Sequence, residues 1–151
     1  RIVGLAADQY AQPSECCQPL PGERIVGIAT RGKGVLVHRI DCEKLIDYEN
    51  EPERWIDLHW PEGRRTADQS ATIEVTMTND AGVLGRICTL VGEQNANISD
   101  LEFTDRKPDF YRMTIDIEVR DVEHLMHVLT AVEADSDVAQ VLRKNRKYQS
   151  D

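Results

Sequence analysis

Four side chains that bind soft metals lie close together in the first half of the chain. Cys16 and Cys17 are adjacent, and Cys42 follows His38 by four positions. Three thiols and one imidazole form the ligand set of a Cys3His zinc site, and a bound metal would stabilise a small core. Since adjacent cysteines tend to point apart, the alternative is a cluster of buried thiols with His38 as a surface donor. Zinc is therefore a hypothesis for the cofactor, and a cysteine redox sensor is a further interpretation.

A second candidate site is the segment of residues 24–40, which contains basic residues and no acidic one. Its centre, from Thr30 to Gly34, lacks the spacing of a phosphate-binding Walker loop and predicts a hairpin turn. Arg31 and Lys33 at the tip would contact a nucleic-acid backbone without reading its sequence, and the alternative is a solvated turn. The candidate RNA contacts of this segment are Arg24, Arg31, Lys33 and Arg39.

A third candidate site follows the first predicted strand of the second half, from Asn79 to Leu84. The exposed N–H groups and positive dipole end of a helix N-terminus suit a carboxylate, and Gly82 has no side chain to block a ligand. Asn79 can hydrogen-bond a carboxylate or an ammonium group, and we expect Asn97 to lie nearby. The alternative is that Asn79 or Asp80 caps the helix.

Composition and the remaining motifs restrict the class of function. The 151 residues include 18 Lys+Arg and 27 Asp+Glu, a net charge of −9, which disfavours a chain-wide phosphate-binding surface. His124 and His127 are interpreted as solvated helix residues, and no nucleophile, base and acid form a recognisable set. We expect no enzyme activity from this chain. Because it begins with Arg1, we expect it to be a piece of a longer protein.

The cellular setting is predicted from cysteine usage and hydropathy. Four cysteines without a recognisable secretory signal favour reduced thiols in the cytosol. The uninterrupted apolar runs are too short for a membrane-spanning helix, so we expect a cytoplasmic protein with no membrane partner.

The elements that position these residues are predicted to form an α+β chain of two small domains. In the second, hydrophobic periodicity gives the order β-α-β-β-α-β, an antiparallel four-stranded sheet with two helices on one face, the ferredoxin-like arrangement. Asp121 is predicted to cap the second helix. The predicted buried face of that helix is Val122, Leu125, Met126, Leu129 and Val132.

The first domain is predicted from a weaker pattern. It contains a hairpin around residues 31–34, a short helix capped by Asp41 with Cys42, Leu45 and Ile46 on its buried side, and a strand near residues 55–60. The predicted organisation is a cysteine-containing module at 1–60, a linker at 61–70, the ferredoxin-like domain at 71–144 and a basic tail at 145–151.

These residues resemble two modules that occur together. Thr72 to Leu142, with Asn79-Asp80-Ala81-Gly82-Val83-Leu84 and Asn97-Ile98, resembles an ACT domain, a small regulatory module that usually binds amino acids. Residues 16–23, 28–35 and 37–42 resemble the conserved-cysteine module, also called a zinc-finger or ribosome-intersubunit domain, of the long RelA/SpoT-type (p)ppGpp enzymes. The two modules occur in this order at the C-terminus of that family.

The resemblance implies a regulatory fragment of a stringent-response protein. The parent chain would hold hydrolase and synthetase domains and act as a GTP pyrophosphokinase, a (p)ppGpp 3′-pyrophosphohydrolase, or both. It also implies contact with ribosomal RNA, and a homodimer joined through edge strands such as residues 98–103. The alternative is an interaction module for ribosomal RNA and tRNA, in which the ACT fold serves only as a dimerisation platform.

The resemblance also carries over an amino-acid site. Because Met77 is apolar where some members place a polar residue, a branched-chain ligand, valine, isoleucine or leucine, is expected. Its binding would tune alarmone synthesis against hydrolysis allosterically. The positions implied are Met77, Asn79, Asp80, Gly82, Val83, Leu84, Asn97 and Ile98, and the cysteine–histidine set of the family corresponds to Cys16, Cys17, His38 and Cys42.

Overall fold

The computed structural model describes residues 2–63 and 68–145, which form two compact units. Of the described residues, the first unit contains 2–63 and Asn145, and the second contains 68–144. Within these ranges, no helix is both long enough and apolar enough to cross a membrane. Residues 146–151 of the predicted basic tail and residues 64–67 of the predicted linker lie outside the described residues.

The first unit is a four-stranded sheet in the order β1-β3-β2-β4. The strands are β1 (Ala11–Pro13), β2 (Ile25–Thr30), β3 (Gly34–Arg39) and β4 (Trp55–Leu58). Strands β2 and β3 form the hairpin that the sequence predicts, and β4 pairs antiparallel with the other side of β2. Strand β1 pairs parallel with β3 and was not predicted, because three residues show no alternation.

The first unit has apolar side chains on both faces of its sheet. Gly27 allows β2 to lie close to its neighbours, since a Cβ there would be 2.6 Å from both Leu58 and Val35 side-chain atoms. One core cluster contains Cys17, Val26, Ile28, Cys42 and Leu45, and the other contains Ile25, Val35, Val37 and Leu58.

The short helix of the first unit is a 3₁₀ helix, Glu43–Tyr48, followed by a second one at Pro52–Arg54. With three residues per turn, Cys42, Leu45 and Tyr48 lie on one side and pack into the core. Ile46 is 67% exposed, so its predicted burial is wrong. The predicted cap is also wrong, because Cys42 is the N-cap residue and Asp41 instead pairs with Arg39 at 3.5 Å.

The second unit has the predicted order β-α-β-β-α-β. It consists of β5 (Gln69–Thr78), α1 (Val83–Glu93), β6 (Asn97–Arg106), β7 (Phe110–Val119), α2 (Val122–Glu133) and β8 (Val138–Arg143). The antiparallel sheet has the order β6-β7-β5-β8, with β6 at one edge. Strand β5 begins inside the predicted linker, because Gln69 and Ser70 already pair with Val119 and Glu118.

The core of the second unit lies between one face of the sheet and the two α-helices. Alternate residues of β5 and β7 are buried, as the period-2 pattern predicts, and Val83, Ile87 and Val91 of α1 are buried with them. The buried residues of α2 are His124, Leu125, Val128 and Val132.

Two predictions for helix α2 are wrong and one is confirmed. Met126 is 53% exposed although it was predicted on the buried face, and His124 is 3% exposed although it was predicted to be solvated. His124 is buried with both ring nitrogens satisfied: Nδ1 accepts from the Arg120 N–H at 3.0 Å, and Nε2 donates to the Gln94 carbonyl at 2.6 Å. The predicted cap is confirmed, because Asp121 Oδ1 accepts from the His124 N–H at 2.8 Å.

Candidate functional site

The cysteine–histidine cluster of the first unit is positioned by the strand that the sequence did not reveal. Strand β1 runs beside β3, and the Ser14 N–H donates to the Val37 carbonyl at 2.9 Å. This pairing places the turn that carries Cys16 and Cys17 next to His38 on β3. Cys42 approaches from the start of the 3₁₀ helix. All four predicted ligands are therefore brought together.

The distances within this cluster match a metal tetrahedron. Cys16 Sγ lies 3.5 Å from His38 Nδ1 and 3.6 Å from Cys42 Sγ, and Cys17 Sγ lies 3.9 Å from His38 Nδ1. The four ligand atoms are all within 4.8 Å of one another. Zinc bonds of about 2.3 Å to sulfur and 2.0 Å to nitrogen would place such atoms roughly 3.5–3.8 Å apart. The side chains present therefore fit zinc.

Hydrogen bonds within the cluster favour a thiolate at Cys16 and a protonated thiol at Cys17. Hydrogen bonding from the Cys17 thiol holds the pKa of Cys16 far below its ordinary range, with smaller contributions from His38 and from Ser14, whose Oγ lies 2.9 Å away. The same shared proton raises the pKa of Cys17, and burial raises the pKa of Cys42. The Arg39 N–H donates to Cys17 Sγ at 3.3 Å, an arrangement that suits a metal-bound thiolate.

The tip of the β2–β3 hairpin presents two exposed cations beside an aromatic ring. Arg31 and Lys33 are exposed, and the Lys33 N–H closes the turn on the Thr30 carbonyl at 3.2 Å. Tyr10 is 57% exposed and packs on Gly34, where a Cβ would come within 2.7 Å of the Tyr10 carbonyl. An open groove of about 350 Å³ is lined by Tyr10 and Arg31, and also by Asp8. The sequence analysis did not identify Tyr10, because a single tyrosine outside any motif does not indicate a binding site.

The four predicted RNA contacts do not share one surface. Arg31 and Lys33 lie at the tip, whereas Arg39 pairs with Ile25 at the other end of the hairpin, beside Arg24. The Arg39 side chain is only 12% exposed, and its guanidinium lies 3.7 Å from Glu23 Oε2. Arg24 is exposed at that end, so the tip is the part of the predicted set where two reachable cations lie on one turn.

The predicted amino-acid site begins at the N-terminus of helix α1. Gly82 is the N-cap residue, with φ at +85°, so the alternative in which Asn79 or Asp80 caps the helix is wrong. A Cβ at Gly82 would meet nothing within 4 Å, so the left-handed backbone and not close packing requires glycine. Asn79 Nδ2 donates to the Pro108 carbonyl at 3.1 Å and holds this loop to the β6–β7 turn.

The other residues predicted for this site have different environments. Met77 and Val83 are 1% exposed and belong to the core beneath the loop. Asp80 is exposed and Leu84 is partly exposed beside Gly82. Met77 therefore limits the site from below, and Leu84 is the apolar side chain that reaches its surface.

Asn97 and Ile98 lie at the opposite end of the sheet from Asn79. Asn97 is paired with Glu118, while Thr78, which precedes Asn79, is paired with Phe110. These partners are 118 − 110 = 8 residues apart on β7, roughly 27 Å at about 3.4 Å per residue. The prediction that Asn97 lies near Asn79 is wrong within one chain. Asn97 Nδ2 instead donates to Glu118 Oε1 at 2.6 Å.

Comparison with known families defines the class of protein. The ACT domain family matches residues 65–143, and the chain belongs to it. The RelA/SpoT RIS domain family matches residues 1–61. The chain therefore combines a segment that matches the RelA/SpoT RIS domain model with an ACT domain that follows it.

Two curated relatives are named as enzymes of (p)ppGpp or GTP pyrophosphate chemistry. The GTP pyrophosphokinase rsh of Brucella suis biovar 1 is 35% identical over 127 residues, which are 83% of this chain and 17% of that protein. The bifunctional (p)ppGpp synthase/hydrolase SpoT of Escherichia coli strain K12 is 29% identical over 131 residues, 86% of this chain and 18% of that protein. The chain therefore spans less than one fifth of these relatives. The crystal structure of the ACT domain from GTP pyrophosphokinase of Chlorobium tepidum is 18% identical, covers 50% of this chain and 97% of that one, and gives a TM-score of 0.46.

Proposed function

We propose that this chain is the regulatory part of a longer protein that synthesises or hydrolyses (p)ppGpp, and that its ACT domain binds an amino acid. The names of the relatives and the order of the two domains support the first part. The open N-terminus of helix α1 carries the second part, because it offers an exposed glycine cap where a carboxylate can approach.

The ligand contacts follow from the chemistry of this helix end. The N–H groups of Leu84 and Gly85 lie in the first turn, where a helix provides no carbonyl partner, so they would donate to the ligand carboxylate. The Asn79 amide oxygen would accept from the ligand ammonium while its Nδ2 keeps the bond to Pro108. The exposed carboxylate of Asp80 would add charge complementarity to the ammonium group.

The position of Asn97 is explained if the site is shared between two copies of the chain. Strand β6 is an edge strand, and its last residue, Arg106, is paired with Tyr111, beside Met77 and the Asn79 loop. Antiparallel pairing of two β6 strands around a two-fold axis would bring the start of one strand to the end of the other. Asn97 and Ile98 of the partner subunit would then approach Asn79 and Gly82.

The irregularity of β6 restricts where the two copies would pair. The register shifts between Ile98 and Asp100, and again between Phe103 and Asp105. Such bulges interrupt the hydrogen-bond ladder and twist the strand, so pairing is expected over the regular segment of residues 100–103. That segment lies within the edge strand that the sequence predicts for dimerisation.

The ligand class follows from the apolar side chains at this junction. Leu84 of one copy and Ile98 of the partner subunit are partly exposed and would enclose the ligand side chain. A branched-chain amino acid, valine, isoleucine or leucine, buries apolar surface there, whereas serine would not. Binding would bias the catalytic domains of the parent chain with a coupling of about 1–3 kcal/mol.

Mixed variants test the shared site directly. Asn79→Ala and Asn97→Ala are each expected to abolish valine binding in calorimetry. When the two variants are unfolded, mixed in equal amounts and refolded, half of the dimers pair unlike chains, and each of these has one intact site. Binding should return to about one quarter of all sites. Gln140→Ala, on an exposed position of β8, serves as the control and should bind like the parent.

Three outcomes would contradict the proposal. If either single variant binds valine as the parent does, the loop and β6 do not form the site. If the mixture binds no valine while sedimentation shows a dimer, the contacts are not shared between copies. Absence of binding by the parent to all of valine, isoleucine, leucine and serine would remove the amino-acid proposal itself.

The hairpin tip favours RNA binding as a second candidate function. Arg31 and Tyr10 line one open groove together with Asp8, and the exposed Lys33 lies on the same turn, so phosphate contacts and base stacking could act together. In this alternative the first unit would contact ribosomal RNA or tRNA, and the ACT fold would only pair two chains. Loss of RNA binding with unchanged valine binding in an Arg31→Ala/Lys33→Ala variant would separate the two functions.

We also propose that zinc occupies the cysteine–histidine cluster. The fit of four ligand atoms within 4.8 Å supports this assignment. Cys16, Cys17, Cys42 and His38 Nδ1 would hold the ion, which would supply a structural link between the turn after β1, strand β3 and the 3₁₀ helix.

A further inference from the structure

We infer that Cys16 and Cys42 form a peroxide-reactive thiol pair, a modification site that is separate from the amino-acid site and independent of it. The two sulfur atoms are 3.6 Å apart, although 26 positions separate the two cysteines in the chain. The cluster would then have two exclusive states, one that holds metal and one in which these two cysteines are joined.

The exposure of the cysteines sets the order in which they would react. Cys16 is partly exposed, whereas Cys17 is 1% and Cys42 is 7% exposed. A small oxidant therefore reaches Cys16 first, and Cys42 is the buried thiol that lies behind it. Cys88 is also partly exposed, on helix α1 of the other unit, and serves as an internal comparison.

The reaction with hydrogen peroxide balances in two steps. The Cys16 sulfur attacks one peroxide oxygen, an S–O bond forms, the O–O bond breaks, and the departing hydroxide takes up the thiol proton as water. The Cys42 sulfur then attacks the Cys16 sulfur, an S–S bond forms, and the S–O oxygen leaves as a second water with the Cys42 proton. Two thiols lose two electrons, and one peroxide is reduced to two waters.

Geometry selects Cys42 over Cys17 as the second cysteine. Adjacent Cα atoms are about 3.8 Å apart across a trans peptide, less than the 4.4–6.8 Å at which disulfides usually form. Cys17 Sγ also accepts a hydrogen bond from the Arg39 backbone, which holds it toward β3. Cys42 lies on a separate segment of chain, so its sulfur can approach Cys16 without this constraint.

The disulfide would consume two of the four candidate metal ligands. A zinc ion left with Cys17 and His38 alone has half of a tetrahedral ligand set and would be released. Peroxide should therefore convert the metal-bound cluster to the disulfide with loss of zinc, and reduction should restore the capacity to bind it.

Peptide mapping of the oxidised chain tests the pair. The metal-free chain is treated with one equivalent of hydrogen peroxide, alkylated and digested with trypsin without reduction. The expected product is a cross-link between the peptide of residues 2–24 and the peptide of residues 40–44, with loss of two hydrogen atoms from the intact mass. Because Cys16 and Cys17 share one peptide, variants must assign the linkage.

Four variants complete the experiment. Cys17→Ser should keep the cross-link and Cys16→Ser should lose it. Cys42→Ser should accumulate a sulfenic acid on Cys16 that dimedone traps, and Cys88→Ser should behave like the parent. Near-UV circular dichroism checks that each variant is folded, and where one is not, the fragment spectrum of the parent cross-link decides which of Cys16 and Cys17 is joined.

Several results would overturn the inference. A Cys16–Cys17 linkage, a disulfide between chains, or oxidation of Cys88 before the cluster reacts would each exclude the pair. On the zinc-loaded chain, a chromogenic chelator should detect zinc release at the same rate as cross-link formation. A cross-link that forms while zinc stays bound would show that the two states are not exclusive.

Discussion

Cys17 is the residue at which the core of the first unit and its candidate metal ligands coincide. Its side chain packs with Val26 and Ile28, and its sulfur lies among the other ligands, 3.9 Å from His38 Nδ1. A unit of this size buries few large apolar side chains, so a metal that joins three segments contributes directly to folding. Loss of the metal is therefore expected to lower the stability of this unit.

Substitution of Cys17 tests this dependence. The parent chain, purified without chelators, is expected to contain one zinc per chain by elemental analysis. Cys17→Ser should contain little or none, because only three ligands remain, and its first unit should melt at a lower temperature. Cys88→Ser removes a thiol outside the cluster and should retain the metal. Equal zinc content in both variants would exclude the cluster as the binding site.

Gly82 allows a second test at the scale of one residue. Its φ of +85° is unfavourable for any other residue, and an added Cβ meets no atom within 4 Å. Gly82→Ala should therefore lower the free energy of unfolding by about 1–2 kcal/mol through backbone strain alone. Gly85 has equally open surroundings inside α1, and alanine is the better helix former there. Gly85→Ala should therefore raise the free energy of unfolding, by up to about 1 kcal/mol. Urea unfolding measures both, and changes of the same sign would contradict this account.

Asp41 and Asp121 show how far single residues could be predicted. Both precede a predicted helix, and both are predicted from the sequence to be N-cap residues. Asp121 caps α2, whereas the helix after Asp41 has 3₁₀ geometry and the carboxylate pairs with Arg39 instead. The ligand types of the metal cluster were also predictable, but the inward direction of both adjacent cysteines depends on β1 and was not.

At the scale of elements, helix α2 is joined to the end of α1 by one buried imidazole. His124 accepts from the Arg120 backbone and donates to the Gln94 carbonyl, which lies at the C-terminal end of α1. His124→Leu would leave both backbone groups without this partner, at a cost of about 1–3 kcal/mol in the free energy of unfolding. His127→Leu, on the exposed side, should change it by less than about 0.5 kcal/mol. Similar losses in both variants by urea unfolding would contradict the role of His124.

The β2–β3 hairpin yields an element-scale prediction for RNA. Arg31→Ala/Lys33→Ala should weaken binding to a ribosomal RNA fragment and lower the salt dependence of affinity, by about 0.7–0.9 in log–log slope for each phosphate that the variant no longer neutralises. Arg24→Ala, at the other end of β2, should have little effect. Fluorescence anisotropy at several salt concentrations measures this, and an unchanged slope would exclude the tip as the binding surface.

The strands differ in how well they could be predicted, and the reason is their burial. Strands β5 and β7 are central, with one buried and one polar face, so strict alternation marks them. Strand β1 has three residues at an edge and owes its conformation to the pairing with β3. The same limitation applies to Asn97, because sequence order places it after α1 but not at the end of the sheet opposite Asn79.

At the scale of the whole molecule, acidic residues outnumber basic ones in both halves, and the segment of residues 24–40 is the basic exception. Residues 71–151 carry 9 basic and 15 acidic residues, whereas residues 24–40 carry no acid. By strand register, acidic side chains also share the sheet face opposite the helices in the second unit. A polyanion is therefore expected to contact the first unit through residues 24–40 and to be repelled by the second unit. The acidic residues on the sheet face opposite the helices are Glu74, Asp100, Glu102, Asp105, Asp116 and Glu118.

The separate cores of the two units predict that each ligand stabilises its own half. Both tryptophans, Trp55 and Trp60, belong to the first unit, and both described α-helices belong to the second. Tryptophan fluorescence and circular dichroism at 222 nm therefore report mainly on different units. A ligand at ~100 times its dissociation constant adds about 2.7 kcal/mol to the unit that binds it. Zinc should raise the unfolding midpoint that fluorescence reports, and valine should raise the midpoint that circular dichroism reports. Each ligand should shift the other midpoint less. If valine shifted only the fluorescence midpoint, its site would lie in the first unit, and the assignment of the ligand to the ACT domain would fail.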